Sequence, residues 1–216
     1  MKITHLGHAC VLVEAGGARI LIDPGAFTHG FEELTDLDAV LVTHQHLDHV
    51  DVERLPMLLE ANDGAQLLTE AEAAAELDKV GIDAQPLRVG AEILIGDLKI
   101  TGVGGVHAEI DPAIPRIGNV GLLVSGIGEP TFFHPGDAYE ATPEGVDVLG
   151  IPLNAPWAKL SETIRFAQAI GAERMFPIHD GLLVPTGRGV YLNNLGKLVP
   201  GTELSDLAGA GATTFS

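Results

Sequence analysis

The sequence is poor in cysteine and in cationic residues, and each shortage excludes a class of protein. It has one cysteine, Cys10, so no internal disulfide can form and nothing indicates an oxidising compartment. Lysine and arginine number 12 against 30 aspartate and glutamate residues, and the resulting net charge of −18 repels nucleic-acid phosphates and anionic membranes. No apolar run approaches the roughly 20 residues of a membrane span. The first eight residues are too polar for a signal peptide.

The sequence does contain enough apolar material for a buried core. Apolar residues make up 46% of the 216 positions and charged residues 19%, which excludes intrinsic disorder. The length favours a single domain over residues 1–216, and there is no linker and no short-period repeat. We therefore expect a cytoplasmic protein with no nucleic-acid or membrane partner. A homo-oligomer stays open.

Short apolar runs separated by turn residues predict a layered α/β fold with sheets at its centre. Strands are predicted at Ala9–Glu14, Ala18–Ile22, Ala39–Thr43, Glu92–Ile95, Leu98–Val103, Val120–Val124, Thr131–Phe133, Val146–Ile151 and Met175–Ile178. Helix-forming composition predicts helices over Thr69–Val80 and Ser161–Ile170. The weakly patterned residues Ala208–Ser216 are expected to fray.

Histidines are concentrated in the segment HQHLDH of residues 44–49, directly after a predicted strand. In an extended segment, residues two apart project to the same side, so His44 and His46 can face one metal ion. If the chain then turns into a helix, Asp48 and His49 point elsewhere and can face a second ion. Imidazole nitrogen and carboxylate oxygen are suitable ligands for zinc, and also for iron or manganese. Six residues cannot enclose two ions, so further ligands must come from elsewhere in the chain.

The chain resembles the metallo-β-lactamase superfamily in this segment and at three later positions. Members of that superfamily carry H-x-H-x-D-H after a buried strand, followed by a later histidine, an aspartate and a final histidine. The matching positions here are His107 in GGVH, Asp137 in HPGD and His179 in FPIHD, and the resemblance extends from the first hairpin to about Gly187. The opening residues ITHLGH and the Asp23–Pro24 turn are similar to a branch of small single-domain hydrolases that includes the ascorbate-6-phosphate lactonase group.

The resemblance implies a four-layer αββα sandwich with a site for two metal ions at one edge of its sheets. The implied ligands are His44, His46 and His107 for the first ion, Asp48, His49 and His179 for the second, and Asp137 as a bridge between them. Two divalent ions are therefore expected as cofactors. Zinc is the first expectation, and manganese or iron are the alternatives.

Such a site predicts a hydrolase whose nucleophile is hydroxide held by the two ions, because coordination lowers the pKa of bound water towards about 7. No serine–histidine–aspartate arrangement or G-x-S-x-G turn competes for that role. Asp48 and Asp137 are the predicted catalytic residues, since either could hold or receive the proton of the nucleophile. A non-catalytic metal-binding scaffold and an iron redox protein on the same fold are the alternatives.

Departures from better-known branches of the superfamily narrow the substrate class. Asp137 stands where the best-known dinuclear β-lactamases have cysteine. The chain is too short for the inserted domain of the nucleases, and it lacks the flavin domain that usually accompanies the oxygen-reducing relatives. The residues after His179 are too few and too rich in glycine for the helical domain of thioesterases that resemble glyoxalase II. An ester, lactone, amide or phosphodiester of a small molecule remains.

Other residues near these motifs each have a functional and an ordinary structural interpretation. Candidates for the substrate wall are Tyr139 as a donor to an oxyanion, Trp157 and Lys159 as pocket lining, and Arg188 as an anion-binding residue. Asp23 is expected to orient a ligand imidazole through its other ring nitrogen. His134 either supports a ligand or is an ordinary turn residue, and whether His8 approaches the site is left open. Cys10 alternates with apolar neighbours and is interpreted as core.

Overall fold

The computed structural model describes residues 1–216, which form two seven-stranded sheets and four α-helices. The first sheet contains β1 (Lys2–Gly7), β2 (Cys10–Ala15), β3 (Ala18–Ile22), β4 (Ala39–Val42), β5 (Gln66–Glu70), β6 (Gln85–Leu87) and β14 (Thr213–Thr214), in the order β14-β1-β2-β3-β4-β5-β6. The second contains β7 (Glu92–Ile95), β8 (Leu98–Val106), β9 (Gly118–Gly126), β10 (Glu129–His134), β11 (Val148–Pro152), β12 (Arg174–Ile178) and β13 (Glu203–Leu204), in the order β13-β12-β11-β10-β9-β8-β7. The helices are α1 (Leu55–Ala61), α2 (Ala71–Lys79), α3 (Leu160–Ile170) and α4 (Pro185–Leu198), and a short 3₁₀ helix spans Phe31–Glu33.

Alternating side chains divide the apolar residues into layers. In β3, Ile20 and Ile22 point into the cluster between the two sheets, whereas Leu21 points outward and packs with Leu55 of α1. A third cluster lies outside the second sheet and includes Leu195 of α4. The order of layers is therefore helix, sheet, sheet, helix, and the predicted αββα sandwich is confirmed. All nine predicted strands are present, with bounds that differ by at most three residues.

The C-terminal ends of strands from both sheets meet along one edge of the sandwich. Strands β3 and β4 are parallel in the first sheet, and β10, β11 and β12 are parallel in the second, so each set ends on one side. The residues that directly follow strand ends on this edge include His8, Asp23, Thr43, His107, Pro135, Leu153 and His179. The fold thus brings distant parts of the chain to one place, as parallel sheets commonly do with functional loops.

Two predictions made from the sequence are wrong, the start of one helix and the fraying of the chain end. The first predicted helix begins at Ala71, because Thr69 and Glu70 end β5. The Glu70 carboxylate instead accepts hydrogen bonds from the first N–H groups of the helix. The chain end does not fray either. β14 pairs with β1, and Phe215 is buried between the sheets.

Two helices were not expected from the sequence. Helix α4 contains three glycines, which are poor helix formers, and its burial of Leu195 shows that tertiary packing outweighs this low propensity. Helix α1 is only seven residues long, which is too short for the helical period of its apolar residues to be recognised in the sequence. Neither these nor the other helices have the length and apolar character needed to cross a membrane.

Cys10 belongs to the core, as expected. Its side chain is fully buried in the cluster between the first sheet and α1. Burial raises the pKa of the thiol well above its ordinary value, so the protonated, unreactive form is favoured.

Candidate metal centre

The seven predicted ligands lie together at the strand-end edge, in two adjacent groups. Within each group the candidate ligand atoms lie within 4.8 Å of one another, so each group could hold a metal ion. Group one consists of His44, His46, His107 and Asp137, and group two consists of His8, Asp48, His49 and His179. The division follows the one implied by the sequence, with His8 as an additional member.

In group one, His44 and His46, which are two residues apart in the chain, turn ring nitrogens towards each other. His44 Nε2 lies 3.1 Å from His46 Nδ1. The other nitrogen of His44, Nδ1, lies 3.1 Å from the Thr43 hydroxyl oxygen. Burial, followed by the neighbouring His49, lowers the pKa of His44 well below its ordinary value. A neutral ring with a lone pair on Nε2 is the form that binds a cation.

Group two is arranged around the Asp48 carboxylate. Its Oδ2 lies 3.0 Å from His8 Nε2 and 3.4 Å from His179 Nε2. His49 Nε2 is 4.0 Å from the same oxygen. Three imidazoles therefore surround one carboxylate oxygen.

Asp137 lies between the two groups. Its Oδ1 is 3.1 Å from His49 Nε2, and its Oδ2 is 3.2 Å from His179 Nε2, both in group two. The same Oδ2 is 3.4 Å from His107 Nε2 in group one. Asp137 therefore contacts imidazoles of both groups.

Three imidazoles are oriented by hydrogen bonds that point away from the pocket. In each ring Nδ1–H donates to an oxygen 2.6–2.7 Å away, from His49 to Asp23 Oδ2, from His107 to the Ala108 carbonyl and from His179 to the Asn154 carbonyl. These bonds place a proton on Nδ1, so Nε2 is the nitrogen that faces the pocket and could bind a metal. The expected contact of Asp23 with a site imidazole is present.

Four of the inward-facing atoms are buried and have no hydrogen-bond partner. They are His49 Nε2, His107 Nε2, His179 Nε2 and Asp137 Oδ1. Buried polar atoms are normally paired, and leaving one unpaired costs about 1–3 kcal/mol. Four such atoms around one pocket, all imidazole nitrogen or carboxylate oxygen, fit divalent cations of the zinc, iron and manganese type.

The two carboxylates make the pocket attractive to positive charge. Burial would raise the pKa of Asp137, but His49 and His179 outweigh burial and hold it well below its ordinary value. Burial acts the same way on Asp48, yet the neighbouring His179 and His8 side chains lower its pKa. Conversely, burial would lower the pKa of His179, but Asp137 and Asp48 raise it to about 9. A metal ion bound here would displace such protons.

Asp23 and Thr43 are hydrogen-bonded to each other and support the HQHLDH segment of residues 44–49. Asp23 is fully buried, and its Oδ1 accepts the Thr43 N–H at 2.8 Å while its Oδ2 accepts the Thr43 hydroxyl at 2.8 Å. Asp23 also has a φ of 50°, in the left-handed region that non-glycine residues seldom adopt. His8 and His179 share this conformation, so three of the four such residues in the chain lie at the site.

The turn before Asp137 is held by Asn119, which was not singled out from the sequence. The Asn119 side chain accepts the Asp137 N–H at 3.0 Å and donates to the Pro135 carbonyl at 3.0 Å. Gly136 has a φ of 63°, and a Cβ there would lie 2.3 Å from Asn119 Oδ1, so only glycine fits. The signal in the sequence that could have identified Asn119 is an asparagine within an otherwise apolar strand.

His134 supports this turn and offers no free nitrogen to a metal. Its Nδ1 accepts the Gly136 N–H at 3.2 Å, and its Nε2–H donates to the Ala9 carbonyl at 2.9 Å. Of the two interpretations left open by the sequence, the supporting one matches this geometry.

His8 also has both ring nitrogens occupied. Nδ1 accepts the Gly181 N–H at 3.2 Å, which places the ring proton on Nε2, where it is donated to Asp48 Oδ2. His8 therefore lies in the site, and its bonding positions Asp48.

The candidates for the substrate wall separate into two kinds. Trp157 Nε1–H donates to Asp137 Oδ2 at 2.9 Å, a direct contact with the centre. Tyr139 is not placed to stabilise an oxyanion, because its hydroxyl donates to the Pro152 carbonyl at 2.7 Å. Arg188 is not free to bind an anion, since it pairs with Asp180 at 2.7 Å and Asp206 at 2.6 Å.

Comparisons with known proteins agree with this fold. The family model described as beta-lactamase superfamily domain matches residues 2–179. The protein Rv0786c of Mycobacterium tuberculosis is 43% identical over 216 residues, covering 100% of both chains. A UPF0173 metal-dependent hydrolase of Azorhizobium caulinodans is 31% identical, covering 88% of this chain and 90% of the relative. The structure of Igni18, a metallo hydrolase from Ignicoccus hospitalis, is similar in fold, with a TM-score of 0.72 at 18% identity, covering 100% of this chain and 99% of the other.

Proposed function

This chain belongs to the beta-lactamase superfamily, and from that premise we propose that it is a metal-dependent hydrolase with two divalent metal ions. Its substrate is a small molecule with an ester, lactone, amide or phosphodiester bond. The name of the Azorhizobium relative supports the reaction type. The observation that carries the proposal is the set of four buried, unpaired ligand atoms around Asp137.

The proposed ligands follow from which atoms point inward. The first ion would be held by His44 Nε2, His46 Nδ1 and His107 Nε2, and the second by Asp48, His49 Nε2 and His179 Nε2, with Asp137 between the two. His8 is excluded from this set, because a ring whose Nδ1 accepts a backbone N–H and whose Nε2–H is donated has no lone pair left for a metal.

When bound, two such ions would supply a water of lowered pKa and would polarise the oxygen that gains charge during attack. Carboxylates of the chain would accept the proton that this water loses. Asp48 is the better acceptor, since its side chain is 17% exposed, whereas that of Asp137 is only 5% exposed. Asp48 can then return that proton to the leaving group, which is general acid–base catalysis by one carboxylate. His8 holds this carboxylate in place.

The reaction type is tested with a panel of chromogenic substrates and the reconstituted protein. The chain is loaded separately with Zn²⁺, Mn²⁺ and Fe²⁺ and assayed on a lactone, a carboxylic ester, an amide and a phosphodiester. We expect turnover of at least one class, loss of it with a chelator, and recovery when the metal is returned. Protein that retains its metal but turns over none of the four would contradict the hydrolase and leave the non-catalytic scaffold. Oxygen consumption by the iron form would favour the redox alternative instead.

A further inference from the structure

A groove of about 520 Å³ begins beside group one and is walled by Ile110 and Trp157. It contacts the centre at two points. Trp157 donates to Asp137, and the backbone of Ala108, which lines the groove, accepts from His107. A smaller depression of about 20 Å³ shares Ile110 with the groove and reaches His46. A molecule whose reacting bond lies at the centre would therefore extend into this groove.

Half of the residues that line the groove are hydrophobic. Trp157 and Tyr139 meet edge to face with ring centroids 4.8 Å apart, and Pro156 continues this wall. On the other side Ile110 is 37% exposed, and Ile114 on the same loop is 49% exposed. Large aliphatic side chains beside a polar centre favour an apolar occupant, because its binding removes their surface from water.

The charges around the groove disfavour an anion. Arg116 is paired with Glu140 at 2.6 Å and also donates to the His107 carbonyl, so its guanidinium is occupied. Lys159 is 3.7 Å from Glu162 and is largely exposed, which makes it a weakly held ammonium. Glu109 also lines the groove, so with Glu140 and Glu162 three carboxylates face the single ammonium of Lys159. The side chains that line the groove therefore carry a net negative charge.

We propose that the substrate carries an uncharged apolar group, alkyl or aryl, beside its scissile bond, and that this group lies between Ile110 and Trp157. This proposal rests on the proposed function in one respect, because it assumes that the scissile bond lies at the metal centre. Binding of the apolar group itself depends on the groove alone, so the two can be tested separately.

Trp157 is the only tryptophan of the chain, so its fluorescence reports directly on the groove. The probes are 4-phenyl-2-butanone, in which a ketone replaces an ester, and its para-carboxylate and para-aminomethyl derivatives. Titrated into metal-loaded protein, the neutral ketone is expected to bind at least 10-fold more tightly than the carboxylate and no less tightly than the ammonium compound. Since a ketone is not hydrolysed, the result does not depend on turnover.

Two matched variants locate the binding site. Ile110→Asp is expected to weaken binding of the neutral probe at least 10-fold. The control is Ile127→Asp, which makes the same change in a fully exposed side chain in the turn between β9 and β10. Equal effects of the two variants, or no fluorescence change with any probe, would overturn the proposal. Tighter binding of the carboxylate probe than of the neutral ketone, if Lys159→Ala abolishes it, would identify an anion site and overturn the proposal. Tighter binding of the ammonium probe than of the neutral ketone would also overturn it. Binding as expected with no hydrolysis of any substrate class would retain the groove and contradict the hydrolase.

Discussion

Asp137→Asn is expected to lower the turnover of any hydrolysed substrate by about 10²–10⁴-fold. The change keeps the volume of the side chain but removes the charge that lies 3.1–3.4 Å from imidazoles of both groups. Loss of that charge should weaken the hold on at least one metal ion. The fold should survive, because Asp137 lies in a loop at the sheet edge and contributes little apolar burial.

The measurements are turnover on the best substrate of the panel, metal content, and a thermal melt of the metal-free protein. Asp63→Asn is the matched control, since Asp63 is exposed just after α1. We expect the control to match the wild type in all three. Near-wild-type turnover in Asp137→Asn with two metals still bound would show that the bridging role is wrong.

His46→Ala and His49→Ala are expected to remove metal from different positions. His46 Nδ1 faces His44 in group one, whereas His49 Nε2 faces Asp137 from group two and its ring is tied to Asp23. Crystals of each variant are soaked in metal. His46→Ala should lose occupancy first at the position held by group one, and His49→Ala should lose it first at the position held by group two. Loss at a common position in both variants would refute the division into two sites.

His8→Gln is the control for that experiment. Glutamine can still donate an N–H to Asp48, so both metal positions should remain occupied if His8 only positions that carboxylate. Loss of the second metal in His8→Gln would instead identify His8 as a ligand.

Much of the fold and the grouping of the site could be predicted because the signals are local. His44, His46, Asp48 and His49 lie within six residues after a strand, and strand periodicity needs only a short window. The later ligands were identified by resemblance, and their identity as metal ligands stays a prediction. Helix α4 could not be predicted, because its glycines oppose the helix and packing against the second sheet stabilises it.

The supporting contacts could not be predicted for a different reason. Trp157 reaches Asp137 across 20 residues, and His8 meets Gly181 across 173. Such pairs depend on how the two sheets pack, which no local pattern specifies. Tyr139 shows the opposite error, because its closeness in sequence to Asp137 suggested a catalytic role, while its hydroxyl bonds away from the centre.

The metal content of the purified chain tests the central claim most directly. Inductively coupled plasma mass spectrometry, with protein concentration from amino-acid analysis, should find close to two transition-metal ions per chain, as the two groups of ligand atoms require. No tightly bound metal after reconstitution with Zn²⁺, Mn²⁺ or Fe²⁺ would contradict the account.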